Sequence, residues 1–150
     1  MKLDHIGIAV KSLKDSLQTY TRDLGFEVVE IVTIEEQGVK IAVLPRGESC
    51  IELMEPTRSD SPVARFLEKR GEGVHHLCFR VEDIEARVEE LKGSPIKVIH
   101  ETPCLGLRHR KVSFLHPKST HGVLIELVEE SASDPLHAGE TRSGTEDSGL

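Results

Sequence analysis

LDHIGIAVKSL at residues 3–13 and VHHLCFRVEDI at residues 74–84 are two versions of one pattern. They lie 71 positions apart, a shift that pairs His5 with His76. Apolar residues alternate approximately in each version, which is typical of a β-strand, and a serine or an aspartate that can cap a helix follows. An internal repeat of this kind predicts that one structural unit occurs twice in the chain.

The ends of the two units match as well. IELMEP at residues 51–56 and IELVEE at residues 125–130 share Ile-Glu-Leu-x-Glu at a shift of 74 positions, which pairs Glu52 with Glu126. Both units therefore have the order histidine-bearing strand, helix, further strands and glutamate-bearing strand, or βαβββ. Because one such unit exposes an apolar face of its sheet, we expect two copies to pack side by side around a shared concavity.

The expected fold class is α+β, with two tandem βαβββ modules that form a metal-holding cleft. We predict a single domain over residues 1–130, with repeats at about 1–56 and 74–130. Residues 131–150 are small and polar, which predicts a disordered tail. The predicted elements are helices at 13–24, 84–91 and, as a linker, about 61–70, and strands at 3–10, 26–34, 39–44, 50–54, 74–81, 96–100, 111–115 and 123–128.

The composition argues against several classes of function. With a net charge of −7, no Trp and one Tyr, the chain has neither a basic surface nor an aromatic platform for nucleic acid. No apolar run approaches the ~20 residues that cross a bilayer, so we expect no membrane partner. The amino terminus shows no signal pattern, which favours the cytoplasm. Cys50, Cys78 and Cys104 have no disulfide or metal-site spacing and are interpreted as reduced structural thiols.

The matched residues His5, Glu52, His76 and Glu126 carry the chemistry. A single histidine or glutamate on a strand is usually structural, and duplication also copies structural residues, so it is the pairing that favours metal ligation. Two imidazoles and two carboxylates suit a borderline divalent ion, with positions left for a bidentate substrate. Mn²⁺, Co²⁺, Ni²⁺ and Zn²⁺ are all chemically acceptable here, and affinity order alone does not choose among them. Co²⁺ or Mn²⁺ is taken as the first expectation, with Ni²⁺, Zn²⁺ and Mg²⁺ as the alternatives.

Two other polar features have competing interpretations. His75 adjoins His76 but should point to the opposite face, so it is interpreted as structural or as a support for the ligand. The basic run Arg-His-Arg-Lys at residues 108–111 is either a solvated loop or an anchor for substrate phosphates near the pocket. The chain lacks GxGxxG, GxxxxGK[ST] and GxSxG, which leaves nucleotide-binding and serine-hydrolase functions without support.

The duplicated unit with its histidines and glutamates resembles the vicinal oxygen chelate, or glyoxalase-like, superfamily. Within it, the chain closely resembles the methylmalonyl-CoA epimerases. The matching segments are LDHIGIAV, EEQGVKIAVLP, IELMEP, SPVARFLEKRGEGVHHLCFRVEDI and FLHPKSTHGVLIEL, which together span residues 3–129. The first segment is shared across the superfamily, whereas SPVARFLEKRGEGVHH and FLHPKSTHGVLIELVE are more particular to the epimerases.

The resemblance implies an isomerase that interconverts the R and S forms of methylmalonyl-CoA at C2. It implies metal ligands at the same four residues that the repeat selects, with an acyl-CoA substrate and a homodimer. Some epimerases have Gln at the position of Glu52, so the glutamate gives this site one more negative charge. That charge bears on the preference among metals rather than on binding itself.

Inversion at C2 needs two acid/base groups, one on each face of the carbon. Glu126 is the candidate for one of them. In at least one relative, a carboxylate on the strand after EQGV has been proposed as a base, but residues 39–41 here read Val-Lys-Ile. The second group is therefore Glu52, Lys40, His5 or a water, with Glu52 taken as the candidate.

Three other functions on this scaffold remain as alternatives. A glyoxalase I-type lyase would act on a glutathione hemithioacetal with a similar ligand set. A ring-cleaving dioxygenase would use two histidines and one glutamate for Fe(II), so the extra carboxylate argues against it. A non-catalytic protein that binds a small ligand would be indifferent to a chelator, which distinguishes it from the enzymes.

Overall fold

A computed structural model of the chain describes residues 1–132 and residue 134, and within them eight strands form one mixed sheet. Apart from residues 131, 132 and 134, the predicted tail lies outside the described residues. None of the helices in this part of the chain is long and apolar enough to span a membrane. The elements are β1 (Lys2–Ala9), α1 (Leu13–Leu17), β2 (Glu30–Ile34), β3 (Val39–Arg46), β4 (Ser49–Pro56), α2 (Pro62–Arg70), β5 (Gly73–Val81), α3 (Ile84–Lys92), β6 (Cys104–Leu105), β7 (Lys111–Leu115) and β8 (Ile125–Glu129).

The strand order β2-β3-β4-β1-β5-β8-β7-β6 has the same arrangement in both halves. In each half the first strand pairs in parallel with the last one, β1 with β4 and β5 with β8. The antiparallel pairing of β1 with β5 joins the halves, so the two histidine-bearing strands lie side by side at the centre. The predicted α+β fold of two βαβββ modules is confirmed.

Alternation along the strands separates a helix-covered face from the cleft face. On β4, Leu53 packs with Leu13 of α1, whereas Glu52 and Met54 line the cleft. In the second half, Ile84 of α3 packs with Leu127 of β8. Because side chains one position apart on a strand point to opposite faces, the residues that build the core also aim their neighbours into the cleft.

Helix α2, between the halves, closes one side of the cleft. Ser61 caps it, since its buried Oγ accepts a hydrogen bond from the Ala64 backbone N–H at 3.1 Å, and Pro62 occupies the first turn. Val63 is buried among cleft-face residues and lines the cleft. The linker is thus a wall of the cavity.

Two of the predicted elements in the first half differ from expectation, one in helix type and one in length. The helix predicted at 13–24 is α-helical only over Leu13–Leu17 and continues as a π-helix over Gln18–Asp23. Its last turn is stabilised by a bond from Leu24 N–H to the carbonyl of Thr19. The strand predicted at 26–34 is regular only over β2, and the Phe26 N–H bonds the Tyr20 carbonyl at the helix end instead of joining the ladder.

The strand predicted at 96–100 is wrong. Only a single bridge, Val98 to Leu115, forms there. The edge strand of the second module is instead β6, which follows later in the chain. The backbone N–H groups of Ile96 and Lys97 are taken by the hydroxyls of Ser94 and Ser119, at 3.2 and 3.0 Å. Serine side chains therefore replace the ladder partners that a strand would need.

Candidate metal centre

The two central strands bring His5 and His76 together. Their Nε2 atoms are 3.0 Å apart and both side chains are buried. Gly7 lies opposite His76 in the β1–β5 ladder, and a Cβ at position 7 would come within 2.2 Å of the His76 Cε1 atom. The absence of a side chain at Gly7 therefore makes room for the His76 ring.

The flanking strands supply the two carboxylates. Glu52 on β4 is next to Gly7 of β1, and Glu126 on β8 is next to Cys78 of β5. The Oε2 atom of Glu126 lies 3.0 Å from the His76 Nε2 and 3.3 Å from the His5 Nε2, and that of Glu52 lies 3.4 Å from the His5 Nε2. The structure thus brings the other three predicted site residues to within 3.4 Å of the His5 Nε2 atom.

Asp4 is a site residue that the sequence reasoning missed. Its Oδ2 accepts a hydrogen bond of 2.7 Å from the Nδ1–H of His5, which leaves the His5 Nε2 to face the other donors. Strict alternation would place Asp4 on the face opposite His5. The β1–β5 register shifts between Leu3 and His5, and both Asp4 and His5 are buried. The imperfect alternation of apolar residues along this strand was the sequence feature that could have identified Asp4.

Burial and neighbouring charges shift the pKa values of Glu52, Glu126 and His5. Burial raises the pKa of Glu52. Burial also acts to raise that of Glu126, but hydrogen bonds from His5 and His76 hold its pKa well below the ordinary value. Burial would lower the pKa of His5, yet the charge of Glu52 and the hydrogen bond to Asp4 raise it well above its usual range. Buried charges of this density need a compensating partner.

The donor set fits a divalent ion. Ligands ~2.1 Å from one centre are ~3.0 Å apart at right angles. The His5 Nε2 lies 3.0 to 3.4 Å from donor atoms of His76, Glu126 and Glu52, and the His76 Nε2 lies 3.0 Å from Glu126. His5, Glu52 and His76 each offer a ligand atom within 4.8 Å of the others. Two imidazoles and two carboxylates suit Co²⁺, Mn²⁺, Ni²⁺ or Zn²⁺ better than they suit Mg²⁺, because Mg²⁺ prefers ligands that are all oxygen.

His75 supports the centre instead of facing away from it. Its Nδ1 lies 3.0 Å from the Nδ1 of His76, and its ring packs against Phe66 of α2. The predicted orientation toward the opposite face is wrong for the ring, which lines the cleft. Burial and the neighbouring His76 lower the pKa of His75 to about 4, so this ring is neutral near pH 7.

The centre forms the polar floor of a cleft of about 510 Å³. Its walls are mainly apolar, with Ile41 and Met54 from the first module and Val112 and Phe114 from the second. Lys40, considered as an acid/base group, is exposed and does not line the cleft. A mainly apolar cleft with a few converging polar groups is the usual form of a small-molecule site.

The basic run at 108–111 is neither a solvated loop nor a free anion site. Arg108 pairs with Glu30 at 2.5 Å, and Arg110 pairs with Asp4 at 3.0 Å. Lys111 pairs with Glu85. Since carboxylates already neutralise these cations, the alternative of a phosphate anchor finds no support in the structure.

The profile of the Glyoxalase/Bleomycin resistance protein/Dioxygenase superfamily matches residues 4–114. The mitochondrial methylmalonyl-CoA epimerase of Homo sapiens is 39% identical over 84% of this chain and 72% of its own length. The ethylmalonyl-CoA/methylmalonyl-CoA epimerase of Cereibacter sphaeroides is 38% identical over 84% of this chain and 96% of its own. A methylmalonyl-CoA epimerase solved in complex with methylmalonyl-CoA and NH4+ superposes with a TM-score of 0.81, at 40% identity, over 87% of this chain and 95% of that one. The chain therefore belongs to the glyoxalase/bleomycin resistance protein/dioxygenase superfamily and, within it, to the methylmalonyl-CoA epimerase family.

Proposed function

We propose that the protein is an isomerase that interconverts the R and S epimers of methylmalonyl-CoA by removing and returning the proton at C2. The observation that carries the proposal is the convergence of two imidazoles and two carboxylates on the floor of an apolar cleft. Membership of the epimerase family points to the same reaction. No feature of the cleft favours the lyase, the dioxygenase or the non-catalytic binder.

The reaction needs a base that can reach an acidic C–H bond. The C2 proton lies between a thioester and a carboxylate, so its removal leaves an enolate. Glu126 is assigned as one acid/base group, with its carboxylate accepting the proton on one side of C2. The Nε2 atoms of His5 and His76 lie 3.3 and 3.0 Å from this carboxylate, and their proximity lowers its pKa and so keeps it ionised.

Inversion also requires a proton donor on the other side of C2, and Glu52 is assigned to that role. In the strand order β4-β1-β5-β8, the two glutamates lie on the outer strands and flank the two histidines. A carbon held above the histidines therefore has one carboxylate on each side. Of the other candidates, Lys40 lies outside the cleft and His5 is held by Asp4, which leaves a water as the alternative to Glu52.

We propose that His5, Glu52, His76 and Glu126 hold a divalent ion, Co²⁺ or Mn²⁺ before Ni²⁺, Zn²⁺ or Mg²⁺. When bound, the ion would stabilise the negative charge that develops on the substrate oxygens, an effect worth several kcal/mol in such sites. The mainly apolar walls lower the local polarity, which strengthens charge interactions at the floor of the cleft. The homodimer, the cytoplasmic location and the single domain over residues 1–130 stay predictions.

The first experiment is hydrogen–deuterium exchange at C2 of methylmalonyl-CoA in D₂O. We expect enzyme-dependent exchange that EDTA abolishes and that Co²⁺ or Mn²⁺ restores. Exchange that persists in excess EDTA would contradict the metal requirement alone. Failure of the fully metallated protein to catalyse any exchange would refute the epimerase, and hemithioacetals would be tested next. Ethylmalonyl-CoA in the same assay measures tolerance for a larger 2-substituent.

A further inference from the structure

The support of His5 extends well beyond its neighbour Asp4. While the Oδ2 of Asp4 accepts from His5, its Oδ1 lies 3.0 Å from the Nη2 of Arg110. Arg80 approaches the same oxygen, with its Nε at 3.7 Å. Asp4 is buried, so it relies on these guanidinium groups to carry a negative charge. The orientation of His5 therefore depends on where Arg110 is held.

Every nitrogen of the Arg110 guanidinium has a partner. The Nη2 pairs with Asp4, the Nε donates to the backbone carbonyl of Glu129 at 3.2 Å, and the Nη1 lies 2.9 Å from the Oδ2 of Asp134. The Arg110 side chain is only 9% exposed, and that of Asp134 only 1%. Two hydrogen bonds and the ion pair with Asp134 together restrict the orientation of the planar fork.

Asp134 comes after the last strand of the sheet and is buried against the loop that precedes β7. It also contacts Arg108, at 3.5 Å, and Arg108 reaches across to Glu30 of β2 in the other module. The loop presents both arginines because Arg108 and His109 adopt positive φ angles of 57° and 56°. Strained backbone of this kind persists only where the surroundings hold it in place.

We propose that Asp134 is a positioning residue of the metal centre, which acts through Arg110 and Asp4 to orient His5. This inference rests on the metal-ligating role proposed for His5. The path is continuous: the Asp134 carboxylate fixes the Arg110 fork, the fork fixes the Asp4 carboxylate, and Asp4 directs the Nδ1–H of His5 so that its Nε2 faces the other ligands. A residue outside the repeated modules thereby contributes to the site.

The test compares Asp134→Asn with Glu130→Gln, which removes the same charge from an exposed residue nearby. Two properties are measured without substrate: the Kd for Co²⁺ by chelator competition, and the solvent exchange of the His5 Nδ1–H proton by NMR, in the metal-free and the zinc-loaded protein. Loss of a hydrogen-bonding support typically costs 10–100-fold in metal affinity, and Asp134 acts one step further out, so we expect a rise in Kd of about 3- to 10-fold.

We also expect the His5 Nδ1–H to exchange about 5-fold or more faster in Asp134→Asn, with both properties unchanged in Glu130→Gln. Arg110→Gln should have a larger effect and Arg110→Lys should restore part of it, since an ammonium can reach one carboxylate but not hold both as a fork does. Lys111→Gln, the charge-matched neighbour that faces Glu85, should have none.

The proposal is overturned if Asp134→Asn matches Glu130→Gln in the proton exchange. It is overturned equally if the amide protons of α3, remote from the network, lose protection to the same extent as the His5 proton, because the effect would then be general loosening. Neither result depends on the C2 exchange assay, so this inference and the epimerase proposal can fail separately.

Discussion

At the scale of single residues, the site depends on side chains that have at least two partners each. Glu126 contacts both histidines through one oxygen, and His5 uses Nδ1 for Asp4 and Nε2 for the centre. Such sharing removes the freedom of each side chain to rotate. The ligands are therefore arranged before any ion or substrate arrives, which lowers the cost of binding.

Glu126→Gln keeps the shape and one ligand oxygen of the side chain but cannot accept a proton. We expect kcat for C2 exchange to fall about 10²- to 10⁴-fold, the usual contribution of a positioned base, with a much smaller change in KM. The measurement is exchange kinetics at saturating Co²⁺. Glu89→Gln, on the exposed face of α3, is the control. Equal losses of kcat/KM in the two variants would contradict the assignment.

Gly7→Ala tests the packing of His76 without altering any ligand. Because the added Cβ would meet the His76 ring at 2.2 Å, the ring has to move, and we expect the Kd for Co²⁺ to rise about 10-fold or more. Gly93→Ala is the matched control, since its Cβ would meet only a carbonyl oxygen at 3.6 Å. Unchanged cobalt affinity in Gly7→Ala would show that the space above Gly7 is not required.

At the scale of elements, short-range features decide how each wall of the cleft is built. Helix α2 is positioned by its cap at Ser61, the irregular pairing of β1 buries both Asp4 and His5, and β6 replaces the strand expected at 96–100. Each of these features moves a side chain into or out of the cleft. The elements therefore control which residues can reach a substrate.

Ser61→Ala removes the cap of α2 and leaves the half-buried Ala64 N–H without its acceptor. We expect the free energy of unfolding to fall by about 1–2 kcal/mol, the upper part of the range for N-caps. Urea denaturation measures the change. Ser59→Ala, on the exposed loop just before the helix, should be close to neutral. Similar losses in both variants would mean that the cap contributes little.

The reactivity of the three cysteine thiols should follow from where these elements place them. All are free, Cys50 and Cys78 are buried, and Cys104 on β6 is exposed. Burial raises the pKa of Cys50 to about 12, which suppresses its reactive thiolate near pH 8. We expect a disulfide reagent to label one thiol quickly in the native protein and three in urea, with Cys104→Ser losing the fast reaction. Two fast thiols in the native protein would contradict this placement.

At the scale of the whole molecule, the candidate ligands come from both modules. His5 and Glu52 belong to the first and His76 and Glu126 to the second, and the β1–β5 pairing is what brings the two sets together. The Arg108–Glu30 pair also crosses between the modules. The metal centre therefore links the two halves of the fold.

Metal binding should consequently stabilise the folded chain. A ligand that binds only the native state at 100 times its Kd adds about 2.7 kcal/mol, and we expect this gain in the free energy of unfolding with Co²⁺. Thermal and urea denaturation with and without the ion measure it, and His76→Gln, which lacks one ligand, should show a much smaller gain at the same concentration. No stabilisation of the wild-type chain by any of the candidate ions would contradict the metal centre.

Much of this arrangement could be predicted from local sequence. The repeat predicted the two βαβββ modules, and the pairing of His5 with His76 and of Glu52 with Glu126 selected residues that the structure brings together. Such predictions succeed because strand alternation and helix caps are encoded within a few positions of each residue. Whether the four residues hold a metal stays a prediction.

Local sequence was enough to predict the two modules, their order and the four residues that come together. The folded chain was needed to show that Asp4, Arg110 and Asp134 form one network, that His75 turns toward His76, and that Lys40 stays outside the cleft. The two groups of features depend on interactions of different range. Periodicity and capping act between neighbours in the chain, whereas a buried ion pair between residues more than a hundred positions apart depends on how the finished sheet and its loops pack.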